Sequence, residues 1–198
     1  MAEKAVSSYS YEAYLALEKE SDVKHEYHDG FIVAMAGGTP NHSLIGMNLG
    51  VSLGIELRNG KKECRVFNSD LKIRIDATRR TFYPDVSVVC DNPQTSDIDQ
   101  QAIVNPILIM EVLSESTAAF DRGDKFFHYR KLPSLKEYVI VNQEYPVIDS
   151  YFRRDDNLWE IKTVTGLDQH IFFKSINCTL HMADIYRLVT DLKPIDSY

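Results

Sequence analysis

The chain has 198 residues, 44% hydrophobic and 26% charged, with 22 basic against 29 acidic side chains and a formal charge of −7. This is ordinary globular composition with enough apolar material for a core, which excludes wholesale disorder, and the net acidity excludes indiscriminate coating of nucleic acid while leaving room for a local basic groove. The three cysteines are too few and too scattered for a disulfide scaffold or a thiolate metal site, and with neither a secretory leader nor a membrane span expected, the cytoplasm is the expected location.

A helix is predicted from Ser10 to Glu20, capped by Ser10 and carrying Tyr11, Tyr14, Leu15 and Leu17. Asp29-Gly30 signals a turn between strands His25–His28 and Phe31–Met35. Gly37-Gly38-Thr39-Pro40 ends the hairpin, and Asn41 caps a helix reaching Arg58 with Ile45, Leu49, Leu53 and Leu57 on one stripe. Leu71, Ile73 and Ile75 alternate with Lys72, Arg74 and Asp76, the pattern of a half-solvated strand. Phe82–Cys90 is a strand, Asp91–Gln101 a polar loop, and the apolar run Ile107–Leu113 a central strand covered on both faces.

Beyond it, a helix over Thr117–Leu132, weakened at Gly123, precedes strands Glu137–Val141, Val147–Arg153 and Trp159–Val164. A short helix over Met182–Leu188 closes the order. No linker, repeat or low-complexity block divides the chain, so residues 1–198 read as a single α/β domain with a mixed sheet.

Two carboxylates stand in strand-like, otherwise apolar settings: Asp85 in FYPDVSVV and Glu111 in PILIMEVLSEST. A carboxylate there is costly unless it is exposed at the strand end, hydrogen-bonded, paired with a base, or bound to a cation. On adjacent strands the two would offer Mg²⁺ the hard oxygens it prefers, and the ion could stabilise phosphate charge and acidify a water. The plainer alternative is a turn Asp and a solvated Glu, and spacing alone leaves both open. The six histidines show no zinc spacing.

The ordered set HEYHDGFIVAM, NHSLIGMNLGVSL, YPDVSVV, PILIMEVLSESTAAFDRGDKFFHYR and LKEYVIV resembles a bacterial, notably cyanobacterial, family of restriction-endonuclease type. That family belongs to the PD-(D/E)xK nuclease superfamily and was long known only as a domain of unknown function. The resemblance spans Tyr9 to Tyr186, and EVLSxST followed by DRxxK and EYxIV is its specific part. It implies a restriction-endonuclease-like fold, a central mixed β-sheet flanked by helices, and Mg²⁺-dependent cleavage of DNA phosphodiesters, with Mn²⁺ as a substitute. Carried over by residue, it makes Asp85 and Glu111 metal ligands and catalytic residues. The superfamily lysine expected two residues after Glu111 is replaced by Leu113, and Lys125 in DRGDK takes its part from the following helix. Glu26, in HEYHDG, matches an N-terminal glutamate that binds or tunes the metal.

Each assignment has a plainer counterpart. Lys125 can pair on its helix with Asp121, an interaction of about 0.2–0.5 kcal/mol whose loss predicts a small stability change and unchanged turnover, whereas a Lys125 that reaches a polar cleft predicts nearly intact folding and impaired cleavage in Lys125→Ala. Glu26 can be the solvent-facing member of an alternating strand, and His42 a helix-start residue rather than a phosphate contact. Asp70 is a weaker acidic candidate, able to approach Asp85 across a hairpin. Asp121 and Arg122 read as a supporting pair that fixes the helix over the sheet, and Tyr129 and Tyr138 as packing residues with satisfied hydroxyls.

From Arg58 to Arg80 eight basic side chains face three acidic ones, a basic hairpin suited to orienting a phosphate backbone. A homodimer built through the strand-rich C-terminal region is expected, since duplex cleavage needs one centre per strand or repeated rebinding. The second reading is a catalytically inactive DNA-binding or assembly protein on the same fold, which Glu115, standing where the family often has proline, favours. A small-molecule hydrolase using the same carboxylates is a third.

Overall fold

The computed structural model describes residues 8–35, 37–58, 60, 63–115 and 117–197. Helix α1 (Tyr11–Glu20) begins where Ser10 Oγ accepts the Ala13 N–H at 3.2 Å. Strands β1 (His25–His28) and β2 (Phe31–Ala34) form the expected hairpin. Its turn residues Asp29 and Gly30 have φ of 50° and 102°, the left-handed pair a two-residue hairpin loop requires.

Helix α2 spans Pro40–Arg58 and buries Ile45, Leu49, Leu53 and Leu57 along one side. Its cap differs from expectation. Thr39 Oγ1 accepts the His42 N–H at 3.1 Å, which leaves Pro40 in the first turn, where its missing N–H costs nothing.

Strands β3 (Cys64–Asn68), β4 (Lys72–Ile75), β5 (Arg80–Phe82) and β6 (Val86–Cys90) follow, then β7 (Thr95–Ser96), β8 (Asp99–Ile103) and β9 (Leu108–Leu113). A helical segment comprises α3 (Ala118–Phe120), a π-helical turn (Asp121–Lys125) and α4 (Phe126–Tyr129). The chain continues through β10 (Glu137–Asn142), β11 (Val147–Arg153), β12 (Trp159–Thr165), β13 (His170–Phe173), β14 (Cys178–His181) and α5 (Met182–Ile185).

The central sheet has the order β12-β11-β10-β9-β6-β3, with β9 and β10 parallel and the other pairs antiparallel. A second sheet, β2-β1-β5-β4-β8-β7, lies beside it, and β13 pairs with β14 alone. This is an α/β restriction-endonuclease-like architecture, a mixed central sheet flanked by helices.

Strand β9 sets the layering. Leu108, Met110 and Val112 join the cluster that includes the α2 stripe and residues of β13, β14 and α5. Ile109 and Leu113 point the other way, into a cluster with Phe82, Tyr129, Tyr138 and the β4 residues Ile73 and Ile75. Period-two alternation therefore aims Glu111 at the second, apolar layer.

Several expectations give way. Strand β4 is buried on both faces: Lys72 and Arg74 are each 4% exposed. Lys72 Nζ meets Asp99 Oδ2 at 2.8 Å, while Arg74 Nε meets Asp76 Oδ1 at 3.0 Å and its guanidinium lies 4.1 Å from the centre of the Tyr11 ring. Tyr11 also donates to Asp99 Oδ2 at 2.9 Å, so α1 covers the face that alternation assigns to solvent.

Part of the expected basic hairpin is accordingly spent on partners within the chain. Arg79 pairs with Asp29 and Arg65 donates to the Asp91 carbonyl; Lys61 and Lys62 lie outside the described residues. Phe82–Cys90 is two strands in two sheets, separated by Tyr83-Pro84-Asp85. The polar loop contains β7 and the start of β8. Cys64 and Cys90, far apart in sequence, stand opposite each other in the β3–β6 register and form a disulfide, a pairing that separation along the chain conceals.

Candidate active site

Asp85 immediately precedes β6, and continuing the pairing Val86↔Met110 by one residue sets it opposite Glu111 on β9. The Val112 N–H donates to Asp85 Oδ2 at 2.7 Å, so the backbone of the Glu111 strand holds the Asp85 carboxylate. His42, in the first turn of α2, places Nε2 3.4 Å from the same oxygen. Hydrogen bonding to Asp85, with further support from the Asp85 charge and the Val112 backbone, outweighs burial and holds the His42 imidazole above its ordinary value.

Glu111 is 3% exposed. Its Oε1 accepts from Tyr129 Oη at 3.0 Å and from Lys125 Nζ at 3.2 Å. Burial, reinforced by the charges of Asp121, Asp85 and Glu26, pushes the Glu111 carboxyl well above the usual range despite Lys125.

Lys125 is the hub. Its ammonium lies 3.2 Å from Glu111, 3.3 Å from Asp121 Oδ1 and 3.4 Å from Glu26 Oε1. Burial opposes its charge, yet the surrounding carboxylates prevail and raise its pKa. Desolvation likewise works against the charge of Glu26, but the Lys125 ammonium and the His28 imidazole, 3.0 Å away through Nε2, bring that carboxyl below its ordinary value.

The π-helical turn explains how a helix presents Asp121 and Lys125 together. Its wider i→i+5 register, a local device common at functional sites, turns both side chains inward. Tyr138 donates its hydroxyl to the Asp121 carbonyl at 2.8 Å and fixes the turn over the sheet. Among the described residues, Asp121 Oδ1 is buried with no hydrogen-bond partner beyond the ion pair with Lys125.

The sequence candidates thus divide. Asp85, Glu111, Lys125, Glu26 and His42 line one cleft of about 1,170 Å³. Asp70 does not join them, because its carboxylate sits at a turn, bound by Lys24 and Asn68. Asp121 and Arg122 are not a pair: Asp121 faces Lys125, while Arg122 donates to Asp149 at 2.7 Å. Lys125 exceeds a surface helix pair, since three carboxylates surround it. Glu26 is buried rather than solvent-facing.

Sequence reasoning missed His28 and underrated Asp121. The signal for His28 was present, because residues 26 and 28 of a strand share a face. Among the described residues, no three Asp, Glu, His or Cys side chains stand ready-made as a metal cluster.

The fold is nuclease-like, of restriction-endonuclease architecture. The model of the Uma2 family, described as "Putative restriction endonuclease", matches residues 11–181, and the chain belongs to that family. Two uncharacterized proteins of Synechocystis sp. are similar: one is 42% identical over 89% of this chain and 90% of its own length, the other 36% identical over 81% and 89%. The crystal structure of a putative nuclease belonging to DUF820 from Anabaena variabilis superposes with a TM-score of 0.68 at 15% identity, covering 84% of this chain and 91% of that one.

Proposed function

We propose that the protein is a divalent-metal-dependent DNA endonuclease that hydrolyses phosphodiester bonds. The observation that carries this reading is the convergence of Asp85, Glu111, Glu26 and Lys125, from two sheets and a π-helical turn, on one cleft. Family membership supports the reaction class.

The donor chemistry suits Mg²⁺, or Mn²⁺ in its place: the candidate ligands Asp85, Glu111 and Glu26 offer only oxygen, and Asp121 adds a buried carboxylate oxygen without a hydrogen-bond partner among the described residues. When bound, the ion supplies charge stabilisation to phosphate and a more acidic water.

The residues themselves divide the remaining work. Glu26, held ionised, accepts a hydrogen bond from the water that attacks phosphorus. Lys125, whose charge is favoured by the carboxylates around it, is suited to stabilise phosphorane charge or protonate the departing oxygen. His42, whose pKa is raised chiefly by its hydrogen bond to Asp85, contacts a phosphate oxygen beside the free N–H groups at the start of α2.

The same reading includes a homodimer, so that two centres serve two strands; light scattering with and without DNA tests it. A second reading, an inactive DNA-binding or assembly protein, is favoured by one feature: the Lys125 ammonium already compensates three carboxylates that would otherwise call for a metal. Incubating purified protein with plasmid and linear DNA in Mg²⁺, Mn²⁺ or EDTA separates the two readings. Cutting that requires metal supports the endonuclease; intact binding without cutting supports the second.

A further inference from the structure

We infer that the strand this site takes is unpaired DNA, a single strand or a flap, rather than the backbone of an intact duplex; this rests on the nuclease reading and narrows its substrate. Three independent observations point the same way.

The first is depth. Glu26, Glu111, Asp121 and Lys125 are all buried at the bottom of the cleft. The phosphates of a duplex lie on the outside of a stiff rod and meet groups on a protein's surface. The cleft, at about 1,170 Å³, is on the scale of pockets that enclose small ligands, roughly 300–1,000 Å³, and admits a few nucleotides of one strand.

The second is charge. Among the described lining residues seven are carboxylates and two are lysines, and Lys193 is already paired with Glu144 at 2.5 Å. Of the basic segment expected to track a duplex backbone, Lys72, Arg74 and Arg79 are paired with Asp99, Asp76 and Asp29. Phosphate neutralisation is therefore in short supply around this site for any strand, and affinity has to come from contacts to the bases, which an unpaired strand offers and an intact duplex does not.

The third is the wall. In the β1–β2 register Glu26 pairs with Val33 and His28 with Phe31, so an apolar strip on the edge strand runs beside the two site residues. Val33 and Met35 line the cleft, and Phe31 and Val33 are 54% and 43% exposed. On the other side Phe120 stacks on the His28 ring, with centroids 5.5 Å apart and planes at 16°. The exposed Val33 on the cleft wall, and the exposed Phe31 two residues before it on the same strand and outside the lining, are surfaces an unpaired base can stack on, and they have no use for a base already inside a duplex.

The test compares one sequence as a 30-nucleotide single strand, a flapped duplex and a blunt duplex. Binding is measured by anisotropy in Ca²⁺ and in EDTA, and cleavage by single-turnover assay in Mg²⁺ and Mn²⁺. The single strand is expected to bind at least about ten-fold tighter than the duplex, with a shallow salt dependence. Phe31→Ala, at an exposed position, should keep the thermal midpoint while weakening single-strand binding roughly five- to 150-fold, the span expected for one lost base stack.

Equal or tighter duplex binding, no measurable single-strand binding, or full affinity in Phe31→Ala overturns the inference, whether or not cleavage occurs. Failure of the nuclease reading has a different signature: single-strand preference and Phe31 dependence persist, and no substrate is cut with any metal.

Discussion

The ammonium of Lys125 lies 3.2 Å from Oε1 of Glu111, joining a helical turn to the central strand β9 beneath it. Both groups are buried, and two further carboxylates, Glu26 and Asp121, complete the shell around the ammonium. The cluster therefore contributes to folding as well as to any chemistry, and its members respond differently to removal.

Lys125→Ala strips the compensating charge from three buried carboxylates. The expected loss is about 3–5 kcal/mol, far above the helix-pair value that chain spacing suggests. In the wild type the depressed carboxyl of Glu26 contributes stability that is present above about pH 4.5 and lost as pH falls through its lower folded value. The gap between the two proteins should accordingly narrow toward acid pH. Urea unfolding at pH 7.5 and pH 4 measures both effects; a gap below about 0.5 kcal/mol at pH 7.5 contradicts the buried-hub description.

Glu111→Gln acts in the opposite direction on stability. A carboxyl whose folded pKa is raised contributes stability below about pH 4.5 that is lost as pH climbs through the higher folded value. The amide removes that penalty while Glu26 and Asp121 still face the Lys125 ammonium, so the variant should be at least as stable as the wild type at pH 8 while cutting no DNA, the trade-off expected of a strained functional site. Calorimetry beside a cleavage assay reads both properties, and a variant that is destabilised at pH 8 would count against the raised carboxyl.

His42 carries its own pH signature. Its folded pKa is raised, so its contribution is fully present below about pH 6.5 and disappears as pH rises through the folded value. Thermal midpoints of wild type and His42→Ala should differ most near pH 6 and converge as pH rises through the raised folded value. Imidazole NMR titration locates the transition directly, and in Asp85→Asn it should move down.

Lys72 tests whether the basic segment is structural. Removing it leaves Asp99 buried and uncompensated beside Tyr11. Lys72→Ala should cost about 3–5 kcal/mol and, in whatever fraction remains folded, leave DNA affinity unchanged. A variant that stays stable but binds DNA ten-fold more weakly would restore the basic groove that the fold disowns.

Much of this arrangement was legible in the chain because local rules carried it. The α2 stripe, the Asp29-Gly30 hairpin and the apolar strand holding Glu111 each follow from a single period or turn signal. Asp85, Glu111 and Lys125 became identifiable by resemblance, and their mutual approach follows from strand pairing that no local pattern encodes. What escaped depended on tertiary cover. Lys72 and Arg74 read as solvent-facing until α1 is placed over them. The Cys64–Cys90 pairing needs the register of β3 against β6. The π-helical turn, marked in sequence only by Gly123 within DRGDK, decides that Asp121 faces inward while Arg122 reaches Asp149.

The most direct measurement of the central claim is single-turnover cleavage of labelled single-stranded and plasmid DNA by wild type, Asp85→Ala and Glu111→Gln, each with Mg²⁺, Mn²⁺ or EDTA. Circular dichroism would confirm that all three are folded. The account predicts cutting by the wild type with either metal, none in EDTA, and at least a 100-fold loss in both folded variants, the scale of removing one essential charge-stabilising group. Undiminished metal-dependent cutting by the folded variants, or cutting by the wild type in EDTA, would contradict it.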